Sequence, residues 1–249
     1  MDDQPLDYTN LEFPSPPPDR PYVAINMVMS ADGQTVVEGT ERGLGSALDQ
    51  RLMRELRVHF DVVVNGGSTF RASGTSARLG RKDLEEWRLA RGMSRTPVAA
   101  VITRSGDLPA ERRFFTDQSF EAVVYLSDAA PDDVRGRLAT LGRPVVTVPA
   151  GAEAEAALAH MQTELGARRV LVEGGATLNG ALMQAGLVDE YFLTLAPRIV
   201  GGEVGHGAVM WAGASSRDGI IDVELMSVAR SHLGELFLRY CVKRPGSRV

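Results

Sequence analysis

Val62-Val63-Val64-Asn65-Gly66-Gly67-Ser68-Thr69-Phe70 and Leu171-Val172-Glu173-Gly174-Gly175-Ala176-Thr177-Leu178 share one plan across a hundred residues. Each reads as an apolar strand, a polar residue at its carboxyl end, a Gly-Gly pair, and a threonine entering a helix. Glycines let the backbone approach a bulky anion, and the first N–H groups of a helix have no partner within it. The helix dipole favours negative charge at the same place. A single strand-to-helix turn can use glycine for geometry alone. Two at matching strand ends point to a phosphate-bearing ligand held between them, and a dinucleotide's pyrophosphate fits.

Outward from these two segments, strand-length apolar runs alternate with stretches of helical period. Tyr22 to Met29 reads as a strand, followed by an Asp32-Gly33 hairpin turn and a return strand from Thr35 to Val37. Ser46 with Asp49 opens a helix in which Leu48, Leu52, Leu56 and Phe60 recur at the helical period. Strands follow at Asp61 to Val64, Val98 to Ile102, Ala122 to Leu126, Val145 to Val148, Val170 to Val172 and Tyr191 to Leu195. The segments between them include helices at Lys82 to Arg91 (Leu84, Trp87 and Leu89 inward), 131–141, Glu153 to Leu165 and Thr177 to Gln184. Ile221 to Ala229 and Leu236 to Val242 read as an antiparallel pair. The alternation predicts an α/β fold, a mixed, mostly parallel central sheet flanked by helices with antiparallel strands at its C-terminal end.

Composition narrows the class. The chain has 249 residues, 44% hydrophobic and 24% charged, with a formal net charge of -5. These fractions exclude a disordered or collagen-like chain, and no apolar run approaches the ~18 residues of a membrane span. The acidic balance argues against a nucleic-acid partner. One cysteine, Cys241, allows no internal disulfide, and four scattered histidines offer no metal site. The opening Met-Asp-Asp-Gln-Pro lacks the basic start and apolar stretch of a secretory signal, so a cytoplasmic setting is expected. Residues 1–20 form a Pro-rich arm, extended and outside the core; a single domain spans 21–243, and 244–249 is a tail.

After Val98 to Ile102 comes Thr103-Arg104-Ser105-Gly106, where a hydroxyl and a guanidinium can clamp a phosphate such as the 2′-phosphate of NADP, or simply form a solvated turn. Neither a P-loop motif nor the Gly-x-Gly-x-x-Gly fingerprint is present.

The run from Val172 to Leu182, continuing through Gly186-Leu187-Val188-Asp189-Glu190 to Ala196-Pro197 and Gly201-Gly202, resembles the reductase domain of riboflavin biosynthesis. Met29-Ser30-Ala31-Asp32-Gly33, Leu56-Arg57 and Gly66 to Thr69 extend the resemblance over about residues 21–243. It implies a dihydrofolate-reductase-like fold, an NADPH cofactor and a homodimer. It also implies reduction of the ribose of 5-amino-6-(5-phosphoribosylamino)uracil, a phosphorylated pyrimidine, to ribityl by hydride transfer to C1′. By the same resemblance, Thr69, Gly174, Gly175, Ala176, Thr177 and Leu178 contact the cofactor, with Met29 beside its nicotinamide, Arg104 near its adenosine phosphate and Ser73 at a cofactor-contacting position. Gly66, Gly67 and Thr103 join this cofactor set from the reading of the glycine segments and the strand end above. Arg57 and Glu173 contact substrate, and Asp32 lies beside the reacting centre. No metal is implied. Ser73 stands where the family carries an aspartate, and the Asp-Pro element after it is missing. That departure keeps open a reductase of dihydrofolate or another pterin. A protein that keeps the fold only to bind a nucleotide is a third reading.

Overall fold

The computed structural model describes residues 6–39, 43–74, 77–201 and 220–243. Pro5, Thr75, Ser76, Gly202, His206 and the tail at 244–249 lie outside them.

Nine strands make one sheet, ordered β5-β4-β3-β2-β6-β1-β7-β9-β8. In chain order they are β1 (Tyr22–Ser30), β2 (Val62–Gly66), β3 (Val98–Thr103), β4 (Ala122–Ser127), β5 (Val145–Val148), β6 (Arg169–Val172), β7 (Glu190–Ala196), β8 (Val223–Arg230) and β9 (Leu236–Val242). The first seven run parallel; β9 pairs antiparallel with both β7 and β8. The helices are α1 (Ala47–Arg57), α2 (Gly67–Ser73), α3 (Lys82–Leu89), α4 (Arg113–Thr116), α5 (Asp132–Ala139), α6 (Glu153–Thr163) and α7 (Ala176–Gln184). This is the mixed, mostly parallel α/β sheet that the alternation of elements predicts.

The central strands are buried on both faces, so they read as continuous apolar runs. Side chains alternate between two cores. Val63, Ala99 and Val101 pack with Leu52 and Leu56 of α1. Val62, Val64 and Ala100 pack with Ala157 and Leu158 of α6 and Leu182 of α7. By that alternation Asn65 sits on the α1 side.

Three local expectations turn out differently. Thr35 to Val37 forms no strand. The turn before it exists, with Gly33 N–H donating to the Ser30 carbonyl at 3.0 Å and Gly33 at φ +86°. Asp32, however, ties that turn to the exit of β7, not to a partner strand. In α3, Leu89 is 44% exposed while Arg88 is buried, because its guanidinium donates to the carbonyls of Val58, Phe60 and Ser94. A cation whose donors are met by fixed carbonyls tolerates the interior. Finally, the Pro-rich arm carries one 3-10 turn (Tyr8–Asn10) in otherwise extended chain, and it packs inward. Tyr8 and Phe13 join the α1-side core, and the Phe13 ring meets those of His59, Phe60 and Phe192. Arg239 lies 4.9 Å over the Phe13 ring and donates to the Glu12 carbonyl at 2.8 Å.

Candidate active site

A cleft of about 780 Å³ opens along the carboxyl ends of β1, β2 and β6, walled by α1 and α2. Such an edge, where neighbouring strands lead away in different directions, is where open α/β sheets bind ligands. Of the residues singled out in the sequence, Arg57, Thr69, Ser73, Glu173, Gly174, Gly175 and Ala176 line it. Asp32, Met29, Gly66, Gly67, Thr103, Arg104, Thr177 and Leu178 do not.

The two Gly-Gly segments meet. Gly66 N–H donates to the Gly174 carbonyl at 2.7 Å, and the Glu173 N–H to the Val64 carbonyl at 2.9 Å. A Cβ on Gly175 would lie 2.8 Å from Thr69 Oγ1, and one on Gly67 3.0 Å from Thr103 Oγ1. Those glycines are therefore required by close approach. Gly174 adopts φ +87°, and the Gly174–Gly175 peptide is cis. No side chain caps the start of α7. Gly175 and Ala176, where that helix begins, line the cleft, an arrangement suited to an anion. The residues present thus fit the diphosphate of a dinucleotide.

Arg57 and Glu173 are bonded to each other. Arg57 Nε and Nη2 each donate to a Glu173 carboxylate oxygen at 2.6 Å, and Nη1 donates to the Arg78 carbonyl at 2.7 Å. Burial pulls the Arg57 guanidinium down, but the Glu173 charge and hydrogen bonds outweigh it and leave it raised. Asn65 Nδ2 donates to the Glu173 carbonyl at 2.9 Å, fixing the backbone beneath the pair.

Asp32 is engaged elsewhere. It accepts from Ser30 Oγ at 2.5 Å, from Val200 N–H at 3.2 Å and from Gly201 N–H at 2.7 Å. These bonds, the Ser30 hydroxyl first, hold its carboxyl down at about 2. Thr103 is buried, its Oγ1 accepting from Gly106 N–H at 3.1 Å. Arg104 is exposed and pairs with Glu153 at 3.3 Å.

The sequence reading missed the cleft face of α1: Asp49, Gln50, Met53 and Arg54. Their signal was available as the polar complement of the Leu48, Leu52 and Leu56 stripe. Ser46 caps α1, accepting from the N–H groups of Leu48 and Asp49, and donates to Glu235 at 2.6 Å. Burial pushes the Asp49 carboxyl up to about 6, against a hydrogen bond from Thr194 and with help from the Glu235 charge. Asn26 and Met27 of β1 also line the cleft and were likewise not singled out.

The fold is one shared with a solved pyrimidine reductase-like protein. The chain aligns over 91% of its length with a pyrimidine reductase-like protein of Corynebacterium diphtheriae, covering 93% of that structure with a TM-score of 0.81 at 21% identity. The chain belongs to the RibD C-terminal domain family, whose model matches residues 21–231. Among its relatives is the 2,5-diamino-6-ribosylamino-4(3H)-pyrimidinone 5′-phosphate reductase of Methanothermobacter thermautotrophicus, 30% identical over 90% of this chain and 99% of that one. The enzyme of the same name from Archaeoglobus fulgidus is 28% identical over 74% of this chain and 83% of that one. The protein is an oxidoreductase of this riboflavin-pathway family.

Proposed function

We propose that the protein is an NADPH-dependent reductase of a phosphoribosylaminopyrimidine, delivering hydride to C1′ of the ribose to form the ribityl product. The observation that carries this reading is the meeting of the two Gly-Gly segments at a cleft that the Arg57–Glu173 pair also lines. When bound, the dinucleotide supplies the hydride; the chain positions and shields. Gly174, Gly175, Ala176 and the α7 N-terminus hold the diphosphate, with Gly66, Gly67, Thr69, Ser73, Thr177 and Leu178 shaping the same cradle. Met27 and Met29 of β1 lie on the nicotinamide side. Arg104, just past the end of β3, faces the adenosine, and the buried Thr103 holds the turn behind it through Gly106.

Glu173 accepts N–H groups of the pyrimidine, oriented by Arg57. Asp32, ionised near neutrality, cannot donate a proton; it acts by holding the loop after β7. Asp49 is better suited to hold a proton at the cleft, since a carboxyl near 6 can exchange one close to working pH. The relatives' names favour a substrate that still carries its 2-amino group, so both the diaminopyrimidinone and the aminouracil belong in the test. The experiment is to follow NADPH absorbance with each phosphoribosylaminopyrimidine and with dihydrofolate. Turnover with either pyrimidine and none with dihydrofolate is expected. Turnover with dihydrofolate alone overturns the reading.

The exposed apolar side chains of β8 (Val223, Leu225, Met226 and Val228) support the homodimer that the family resemblance implies. The single cysteine supports a reducing, cytoplasmic setting.

A further inference from the structure

The bond between Arg57 and Glu173 leaves an electrostatic question. A ribose 5-phosphate brings close to two negative charges into the cleft, and the Arg57 guanidinium is already matched by a carboxylate: each of its three nitrogens donates, two of them to Glu173. Among the described residues that line the cleft, the remaining cation lies one turn earlier on α1. Arg54, three residues before Arg57, leaves the same face of the helix and lines the same cleft. It is half-buried, and among the described residues it has neither an acidic partner nor a hydrogen bond. Every other arginine of α1 is committed, Arg51 to Glu55 and the Leu6 carbonyl. The Arg54 stem runs beside Gly80, where an added Cβ would lie 3.9 Å from its Cδ and Nε. The loop therefore brackets the side chain without using its donors.

We infer that Arg54 is the phosphate anchor of the substrate site, receiving the 5′-phosphate of a ribose phosphate while Arg57 orients Glu173. A guanidinium fork matches two phosphate oxygens, and a half-buried position protects the contact from screening. The inference rests on the reading of the cleft as a phosphoribosylaminopyrimidine site. It divides the labour of two arginines one turn apart: Arg57 serves the base through Glu173, and Arg54 serves the phosphate.

The test compares wild type, Arg54→Gln and Arg54→Lys on the phosphorylated substrate and on the same riboside without its phosphate. Arg54→Gln is expected to raise KM for the phosphorylated substrate by roughly 10–100-fold, as loss of a charge-assisted hydrogen-bond pair does. Its kcat, its KM for the riboside and its Kd for NADPH should stay within about threefold. Arg54→Lys, a point charge without the fork, should restore part of the loss. Equal KM changes for both substrates, no change in either, or a matching fall in NADPH affinity would overturn the assignment while leaving the reductase reading intact. If wild type turns over neither pyrimidine, that reading fails instead. Titration of ribose 5-phosphate into wild type and Arg54→Gln by calorimetry then decides: binding lost in the variant upholds the anchor, and equal binding overturns it.

Discussion

Arg57 and Glu173, 116 residues apart in sequence, close on each other through two hydrogen bonds of 2.6 Å at the floor of the cleft. The pair joins the end of α1 to the loop after β6, so it welds the substrate wall to the cofactor wall. Both side chains are about one-tenth exposed. A pair so buried is costly to break from one side, because the partner's charge is then stranded.

Arg57→Ala should therefore lower stability by about 2–4 kcal/mol in urea unfolding. Glu173→Gln should cost less, since an amide still accepts one guanidinium bond. It should cut kcat/KM at least roughly 100-fold while NADPH affinity stays within a few-fold. Collapse of cofactor binding in Glu173→Gln would contradict the substrate role.

Gly175→Ala places a methyl 2.8 Å from Thr69 Oγ1 and 3.3 Å from Ser68 Oγ. The two loops must part, and NADPH affinity should fall by roughly tenfold or more as the cradle widens. Adding Thr69→Ala removes the nearer obstruction, so the double variant should regain melting temperature over Gly175→Ala alone. No recovery would place the damage elsewhere.

Arg104→Ala should weaken NADPH by about tenfold and NADH hardly at all, because only NADPH carries the 2′-phosphate. Glu153→Gln releases the guanidinium from its 3.3 Å partner and should shift preference further toward NADPH. Fluorescence titration with both nucleotides reads both effects. Equal losses in Arg104→Ala would remove that residue from the adenosine end.

Asp49 gives a pH signature. Its carboxyl, raised by burial to about 6, keeps its proton in the folded chain over a range where the unfolded chain, near 4, has lost it. Stability from this group is thus full below about pH 4 and is lost as pH rises through 6. Asp49→Asn should be more stable than wild type at pH 7.5 by on the order of 1–3 kcal/mol, with the gap closing toward pH 4. Parallel stability curves in urea would refute it.

Leu225→Asp with Val228→Asp puts charge on the exposed apolar side of β8, where those residues are 50% and 56% exposed. If the proposed homodimer forms through this strand, light scattering should show a dimer for the wild type and a cooperatively melting monomer for the variant. An unchanged mass would exclude this strand from the interface.

What the sequence disclosed and what it withheld follow from range. The parallel strands were legible because burial on both faces leaves unbroken apolar runs such as Val62-Val63-Val64, and α1 because Leu48, Leu52 and Leu56 repeat at its period. Both glycine segments were legible because close approach leaves its mark in residue type. Pairings were not. Nothing local says that Arg57 meets Glu173, that Asp32 reaches Val200 and Gly201, or that Arg88 finds three carbonyls and goes inside in place of Leu89. The polar face of α1 was readable in principle, since every residue opposite its leucine stripe must face something other than the core.

The inward-folded arm shifts the lower limit of what can be cut away. The family match starts at residue 21, yet Tyr8 N–H reaches Glu55, the Tyr8 carbonyl reaches His59, and Phe13 plugs a gap between Phe60 and Phe192. A chain trimmed to the matched boundary would shed that plug and expose the Phe60 and Phe192 rings to water. A minimal version for crystals or screening should therefore begin before Tyr8 and keep Phe13.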